Sequence, residues 1–126
     1  MNRIDGKFAL VTGGTQGLGA AIARCFADNG AAGIITIGRN EKKGAEVAEK
    51  IKSDTGCNVI FVKTDLPEVD QCRNAIAVAK KEFGKIDILV NAAGITDRGD
   101  IVDTSEELFD KMIGVNVKGP YFLIQD

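Results

Sequence analysis

The chain has 126 residues, the length of one ordinary domain, and its 44% hydrophobic and 27% charged residues are the balance of a soluble globular protein. A formal net charge of −2 and a pI near 5.2 argue against a nucleic-acid or other polyanionic partner. No apolar run reaches the length of a membrane span, no secretory h-region follows Met1, and the absence of histidine removes Ser-His-Asp and Cys-His chemistry and most zinc sites.

After a polar lead-in from Met1 to Lys7, the apolar run Phe8 to Val11 reads as a first strand. It enters the turn Thr12-Gly13-Gly14-Thr15-Gln16-Gly17-Leu18-Gly19, which a helical pattern follows from Ala20. A strand running into a glycine turn and then a helix start aims unpaired backbone N–H groups and the positive end of a helix dipole at one spot. Such a spot binds phosphate and, when it opens a βαβ unit, a dinucleotide. In that reading Gly13 allows the tight exit from the strand, Gly17 lets the backbone approach a pyrophosphate, and Gly19 lets the helix pack close to the sheet. Thr15, Gln16 and Leu18 offer donors to phosphate and ribose. The first helix carries Gly19, Ile22, Ala23, Phe26 and Ala27 at three- and four-residue spacing, and Asn29-Gly30 closes it.

A second strand spans Gly33 to Ile37. At its end, a carboxylate would hold the 2′-hydroxyl of an NAD ribose. The chain has Gly38-Arg39 there instead. A guanidinium without a competing carboxylate fits a 2′-phosphate, so the expected cofactor is NADP(H) in preference to NAD(H), with Asn40 adding a hydrogen bond. The alternative is a solvated loop arginine. Glu41 reads as a first-turn helix acid. The helix from Asn40 to Ser53 should face Ala45, Ala48 and Ile51 inward and pair Glu46 with Lys50 outside.

The third strand spans Asn58 to Lys63. Asp65-Leu66-Pro67-Glu68 reads as a helix N-terminus with Asp65 as N-cap. The helix from Pro67 to Phe83 sets Cys72, Ile76, Ala79 and Phe83 on one face, with Gly84 as its stop. The fourth strand is Ile86 to Val90. A loop from Ala92 to Asp103 follows, and Thr104-Ser105-Glu106-Glu107 forms a capping box for a last helix that Pro120 should bend. Cys25, Cys57 and Cys72 are an odd number without CxxC spacing, implying neither a disulfide framework nor a zinc site. Cys25 and Cys72 are expected in the core.

Strand–helix alternation of this kind predicts an α/β fold: a Rossmann-type, doubly wound parallel sheet with right-handed crossovers and strand order 3-2-1-4. The ligand crevice should lie between strands 1 and 4. Residues 1–126 form one domain. The fourth strand would be a bare apolar edge, and the chain stops at Asp126 just after Tyr121-Phe122-Leu123-Ile124. The expectation is the N-terminal part of a longer protein.

Four features together resemble the short-chain dehydrogenase/reductase family: the spacing Gly13-xxx-Gly17-x-Gly19, Asp65 after the third strand, Asn91-Ala92-Ala93-Gly94 after the fourth, and Asn116 in the last helix. The likeness covers the entire chain. It implies an NADP(H)-dependent enzyme that interconverts an alcohol and a carbonyl on a small molecule. It also implies that Asn91 to Gly94 line the cofactor, that Asp65 and Leu66 meet the adenine, and that Asn116 is the catalytic asparagine of an Asn-Ser-Tyr-Lys set. Two roles thus stand open for Asp65, N-cap and adenine acceptor, and one side chain could serve both. The serine and the YxxxK pair are not in this chain: Tyr121 is the only tyrosine and Gln125 stands four residues on. The 126 residues alone are therefore expected to be inactive. Family members commonly form dimers and tetramers, which the apolar stretch Tyr121 to Ile124 would suit, and a cytoplasmic location is expected. Arg98-Gly99-Asp100 is read as a coincidental tripeptide, and Ile95 to Val102 as a border of the substrate pocket, with Arg98 facing an anionic group. Sugars, polyols, 3-oxoacyl esters and steroids all fit as substrates. The competing reading is a non-catalytic NADP(H) sensor or scaffold of the same fold. A flavodoxin-like or receiver domain gives the glycine spacing and the Asn91 to Gly94 segment no role.

Overall fold

The computed structural model describes residues 4–14, 17–92, 105–113, 115 and 123–124. Four strands, β1 (Phe8–Thr12), β2 (Gly33–Gly38), β3 (Asn58–Lys63) and β4 (Ile88–Asn91), form one sheet in the order β3-β2-β1-β4. All three pairings are parallel. The helices α1 (Gly17–Asp28), α2 (Glu41–Thr55) and α3 (Val69–Phe83) supply the crossovers, and α4 (Glu106–Ile113) follows β4. This is the doubly wound Rossmann arrangement that the alternation predicts.

Two apolar layers cover the sheet. Leu10, Ile35 and Ile37 pack against Leu66, against Cys72, Ala75, Ile76 and Ala79 of α3, and against Val115 and Leu123. On the other face, Val11, Ile34 and Val59 meet Ala23 and Ala27 of α1 and Ala48 and Ile51 of α2. Neighbouring strand residues point to opposite faces, so a strand buried on both sides reads as a continuous apolar run. Ile34, Ile35 and Ile37 are wholly buried, each worth about 1.5–3 kcal/mol of transfer free energy.

Glycines end the helices. Gly56 and Gly84 adopt φ of 77° and 81°, and their N–H groups donate to the Lys52 and Lys80 carbonyls. After α1, the Ala31 N–H reaches the Phe26 carbonyl at 3.1 Å and Gly30 takes φ 93°, a 6→1 closure of the Schellman type.

Several local expectations are corrected. On α2, Gly44 rather than Ala45 faces inward, because the Phe61 ring lies where any side chain at 44 would go. Lys50 pairs not with Glu46 but with Asp54, at 3.6 Å, and Asp54 also takes Arg24 of α1 at 2.9 Å. Helix α3 starts at Val69 with Glu68 as N-cap. Asp65 is not the cap, since 65–68 form a turn closed by the Glu68 N–H on the Asp65 carbonyl at 2.9 Å. Strand β4 starts two residues late because Asp87 serves as a clasp: its N–H donates to the Phe8 carbonyl and its carboxylate accepts the Phe8 N–H. Cys25 is exposed, whereas Cys57 and Cys72 are buried. The apolar run after Pro120 is not uniformly exposed, because Leu123 belongs to the core while Ile124 is 66% exposed. Thr104 and Pro120 lie outside the described residues.

Candidate nucleotide-binding site

The carboxyl ends of the four strands share one edge of the sheet. Thr12 is in register with Ile37 on one side and Asn91 on the other, and Gly38 with Lys63. The strand order reverses at the β1–β4 boundary, the usual position of a ligand crevice in such sheets.

The glycine turn begins at this edge. Gly13 leaves β1 at φ 69°, in the left-handed region, and the N–H groups of Gly13 and Gly14 both donate to the Ile37 carbonyl, at 2.9 and 3.2 Å. The turn is thereby laid across the end of β2. At Gly14 an added Cβ would stand 2.6 Å from the Thr36 Cβ. Thr36 is fully buried there, and its hydroxyl has no hydrogen-bond partner among the described residues. Gly14 is thus a required glycine that the sequence reading passed over; the Gly13-Gly14 doublet was the available signal. Gly19 is required more strongly, because its Cβ would run into the Gly13 carbonyl. Helix α1 can therefore start directly on the turn.

Gly17 differs. It has φ 59°, yet among the described residues nothing lies within 4 Å of where a side chain would point. The helix starts at Gly17 and carries no acidic residue in its first turn, so no carboxylate of its own offsets the positive end of its dipole. Leu18 is 70% exposed beside it. Such room over a left-handed glycine, at a helix N-terminus without an acid of its own, fits a diphosphate. Thr15 and Gln16 lie outside the described residues.

Arg39 follows β2 and is exposed. Asn40 is the N-cap of α2, its side-chain oxygen accepting the Lys43 N–H at 3.0 Å. That oxygen is committed to the helix, which leaves the amide NH₂ as the group a ligand could use. The ends of β2 and β3 are tied by the Thr64 N–H on the Gly38 carbonyl at 2.8 Å, so Arg39 and Asp65 both follow directly on this tie. Asp65 is half-buried. Leu66 is buried in the core at 6% exposure, so only its backbone can face a ligand. Burial, with the Asp65 charge adding to it, pushes the Cys72 thiol up from its usual range.

At the end of β4 the residues divide between the two faces of the sheet. Asn91 joins Leu89 in lining, with Ile76, Lys80 and Ile86, an apolar groove along the open strand edge. Ala92 packs with Val90 against the opposite layer. Ala93, Gly94, Arg98, Asn116 and Tyr121 lie outside the described residues. Among the described residues no cluster of Cys, Asp and Glu could hold a metal ion, and no helix is long and apolar enough to cross a membrane.

The comparisons agree with this geometry. A family model described as short chain dehydrogenase matches residues 7–126. An uncharacterized oxidoreductase of Thermotoga maritima is 38% identical over 118 residues, covering 94% of this chain and 45% of that protein. The structure of L-sorbose reductase from Gluconobacter frateurii, complexed with NADPH and L-sorbose, superposes with a TM-score of 0.93 at 30% identity, over 98% of this chain and 46% of that one. A short chain dehydrogenase from Burkholderia cenocepacia in complex with NADP gives 0.90 at 35% identity, over 98% of this chain and 50% of that one. The chain spans about half the length of these relatives. With its glycine turn, strand order and near end-to-end match, the chain belongs to the short-chain dehydrogenase family.

Proposed function

We propose that this chain forms the cofactor-binding half of an NADP(H)-dependent oxidoreductase that interconverts an alcohol and a carbonyl on a small-molecule substrate. The observation that carries the cofactor choice is the end of β2: Gly38 stands where a ribose-binding acid would be, and the exposed Arg39 follows it. The two solved relatives named above hold NADPH and NADP, which supports the same choice.

In this reading NADP(H), when bound, supplies or accepts the hydride. The chain's own residues bind and orient it. The α1 N-terminus, with Gly13, Gly14, Gly17, Leu18 and Gly19, receives the diphosphate, joined by Thr15 and Gln16. Arg39 and the Asn40 amide take the 2′-phosphate. Asp65 and the Leu66 backbone meet the adenine, and Asn91 to Gly94 border the cofactor beside β1. Asn116 is the chain's contribution to the proton relay, whose tyrosine, lysine and serine are not among these 126 residues. Ile124, exposed beside the buried Leu123, would be covered in a homo-oligomer, and the cytoplasm is the proposed compartment.

Paired titrations of NADPH and NADH into the protein that carries this chain test the reading. Arg39→Ala should weaken NADPH at least about ten-fold, through loss of a charge-assisted hydrogen bond, and leave NADH within about two-fold. Tighter NADH binding that Arg39→Ala does not change would overturn it.

A further inference from the structure

The Asp65-Leu66 turn is held from behind. Gln71, in the first turn of α3, reaches back with its side-chain carbonyl to accept the Asp65 N–H at 2.7 Å. The neighbouring Cys72 thiol donates to the Leu66 carbonyl at 3.4 Å. The Glu68 N–H closes the turn on the Asp65 carbonyl at 2.9 Å, and the Thr64 N–H fixes its entry to β2 at 2.8 Å. Of these contacts the Gln71 bond stands apart. It is made by an exposed side chain at the third helical position, from which a glutamine commonly reaches back to the N-cap's own N–H; here it reaches past the cap to Asp65 instead. Its consequence is local: it fixes the backbone at Asp65, just past the end of β3.

We propose that Gln71 is a positioning residue for the adenosine half of the cofactor site, acting through the Asp65 backbone. This rests on the proposed contact between Asp65 and the adenine. Gln71 touches no part of the cofactor. It holds the 65–66 turn in place just past the carboxyl end of β3, so the ligand need not order that turn when it binds. The effect is confined to ligands that carry adenosine, because the turn lies at the β2–β3 end of the site and the crevice at the β1–β4 boundary is on the far side of β1.

The test uses the protein that carries this chain and three ligands: NADPH, 2′,5′-ADP, which has the adenosine half alone, and reduced nicotinamide mononucleotide, which lacks it. Gln71→Met keeps the length of the side chain and removes the acceptor. It should weaken NADPH and 2′,5′-ADP by about three- to ten-fold, the span of one hydrogen bond's net worth, and leave the mononucleotide within about two-fold. Gln71→Glu keeps an acceptor oxygen and should restore most of the 2′,5′-ADP affinity. Unchanged 2′,5′-ADP binding in Gln71→Met overturns the proposal. So does an equal weakening of all three ligands with a lowered melting temperature, the signature of a merely structural role. Asp65→Ala separates this from the reading beneath it. If Asp65→Ala weakens 2′,5′-ADP and Gln71→Met does not, Gln71 alone fails; if Asp65→Ala has no effect, the adenine contact fails and takes the proposal with it.

Discussion

Gly19 offers the sharpest test of how the turn is built. Helix propensity alone makes alanine better than glycine within a helix by about 1 kcal/mol, so Gly19→Ala would be stabilising on an open surface. Here the new methyl would run into the Gly13 carbonyl, with the Thr12 carbonyl 3.1 Å away. These are backbone atoms that no rotamer change can remove. Overpacking a fitted site costs about 1–3 kcal/mol, and an obstruction made of backbone belongs above the middle of that range. With the propensity gain deducted, the net loss is about 1–2 kcal/mol. For a protein of about twice this length, each kcal/mol lowers Tm by about 2–4 °C, giving a fall of about 2–8 °C. The effect on binding should be larger. The yielding atoms belong to the turn proposed to bind the diphosphate, and each charge-assisted hydrogen bond the displaced turn fails to make costs roughly ten-fold or more in affinity. Thermal melts followed by circular dichroism, with NADPH titrations on the same samples, read both quantities. Gly17→Ala is the control: the left-handed φ costs about 1–2 kcal/mol with nothing in the way of the methyl. A Gly19→Ala protein with wild-type Tm and wild-type NADPH affinity would refute the packing argument.

The Asn40 cap and the cofactor preference can be separated. Asn40→Ala should cost about 1 kcal/mol of stability through loss of the cap; Asn40→Asp should keep the cap but set a carboxylate beside Arg39, moving the NADPH-to-NADH affinity ratio about ten-fold toward NADH in paired titrations. The hydrogen bond from Arg24, with Lys50 beside it, holds the Asp54 carboxyl below its ordinary range. A depressed pKa contributes stability above the unfolded value of about 3.9 and loses it as pH falls through the folded one; urea melts should therefore show Asp54→Asn less stable than wild type at pH 7, with the gap closing toward pH 2–3. Maleimide labelling of the native protein, read by mass spectrometry, should modify Cys25 first. Burial shields Cys57 and Cys72 and raises both thiols, so these two should react only on denaturation.

What the sequence made legible was whatever repeats along the chain. Strand β2 is apolar on both faces because helices cover both, and that leaves a continuous run with no competing period. The strand order followed from alternation and the handedness of crossovers. The turn was legible because glycines are tolerated in few other places at that density. Side-chain partner choice was not legible. Ala45 and Gly44 are equally compatible with the helical pattern of α2, and only the Phe61 ring, seventeen residues on, decides between them. Lys50 has acids within reach on both sides, and Arg24 from another helix fixes Asp54 as the centre of the cluster. Asp65 had the chemistry of an N-cap; the turn it enters consumed the residues that would have been the first turn of the helix.

The hydrogen bonds at the end of β2 show that Arg39, the residue proposed to select the cofactor, can be substituted without disturbing the fold. The Ile37 carbonyl accepts the Gly13 and Gly14 N–H groups, and the Gly38 carbonyl accepts the Thr64 N–H. Two consecutive backbone oxygens thus anchor the glycine turn from β1 and the 65–66 turn from β3. All of these bonds are made by backbone, and none involves the Arg39 side chain, which stands in solvent just beyond them. The proposed selectivity for the 2′-substituent therefore rests on a group outside the anchoring network. The network depends instead on what lets the turn settle on β2, namely the missing Cβ of Gly14 above Thr36. A larger residue at position 14 must lift the turn off the Ile37 carbonyl, weakening both cofactors alike, whereas a change at Arg39 must discriminate between them. The two positions lie at the same strand end and differ in which of these two patterns their substitutions produce.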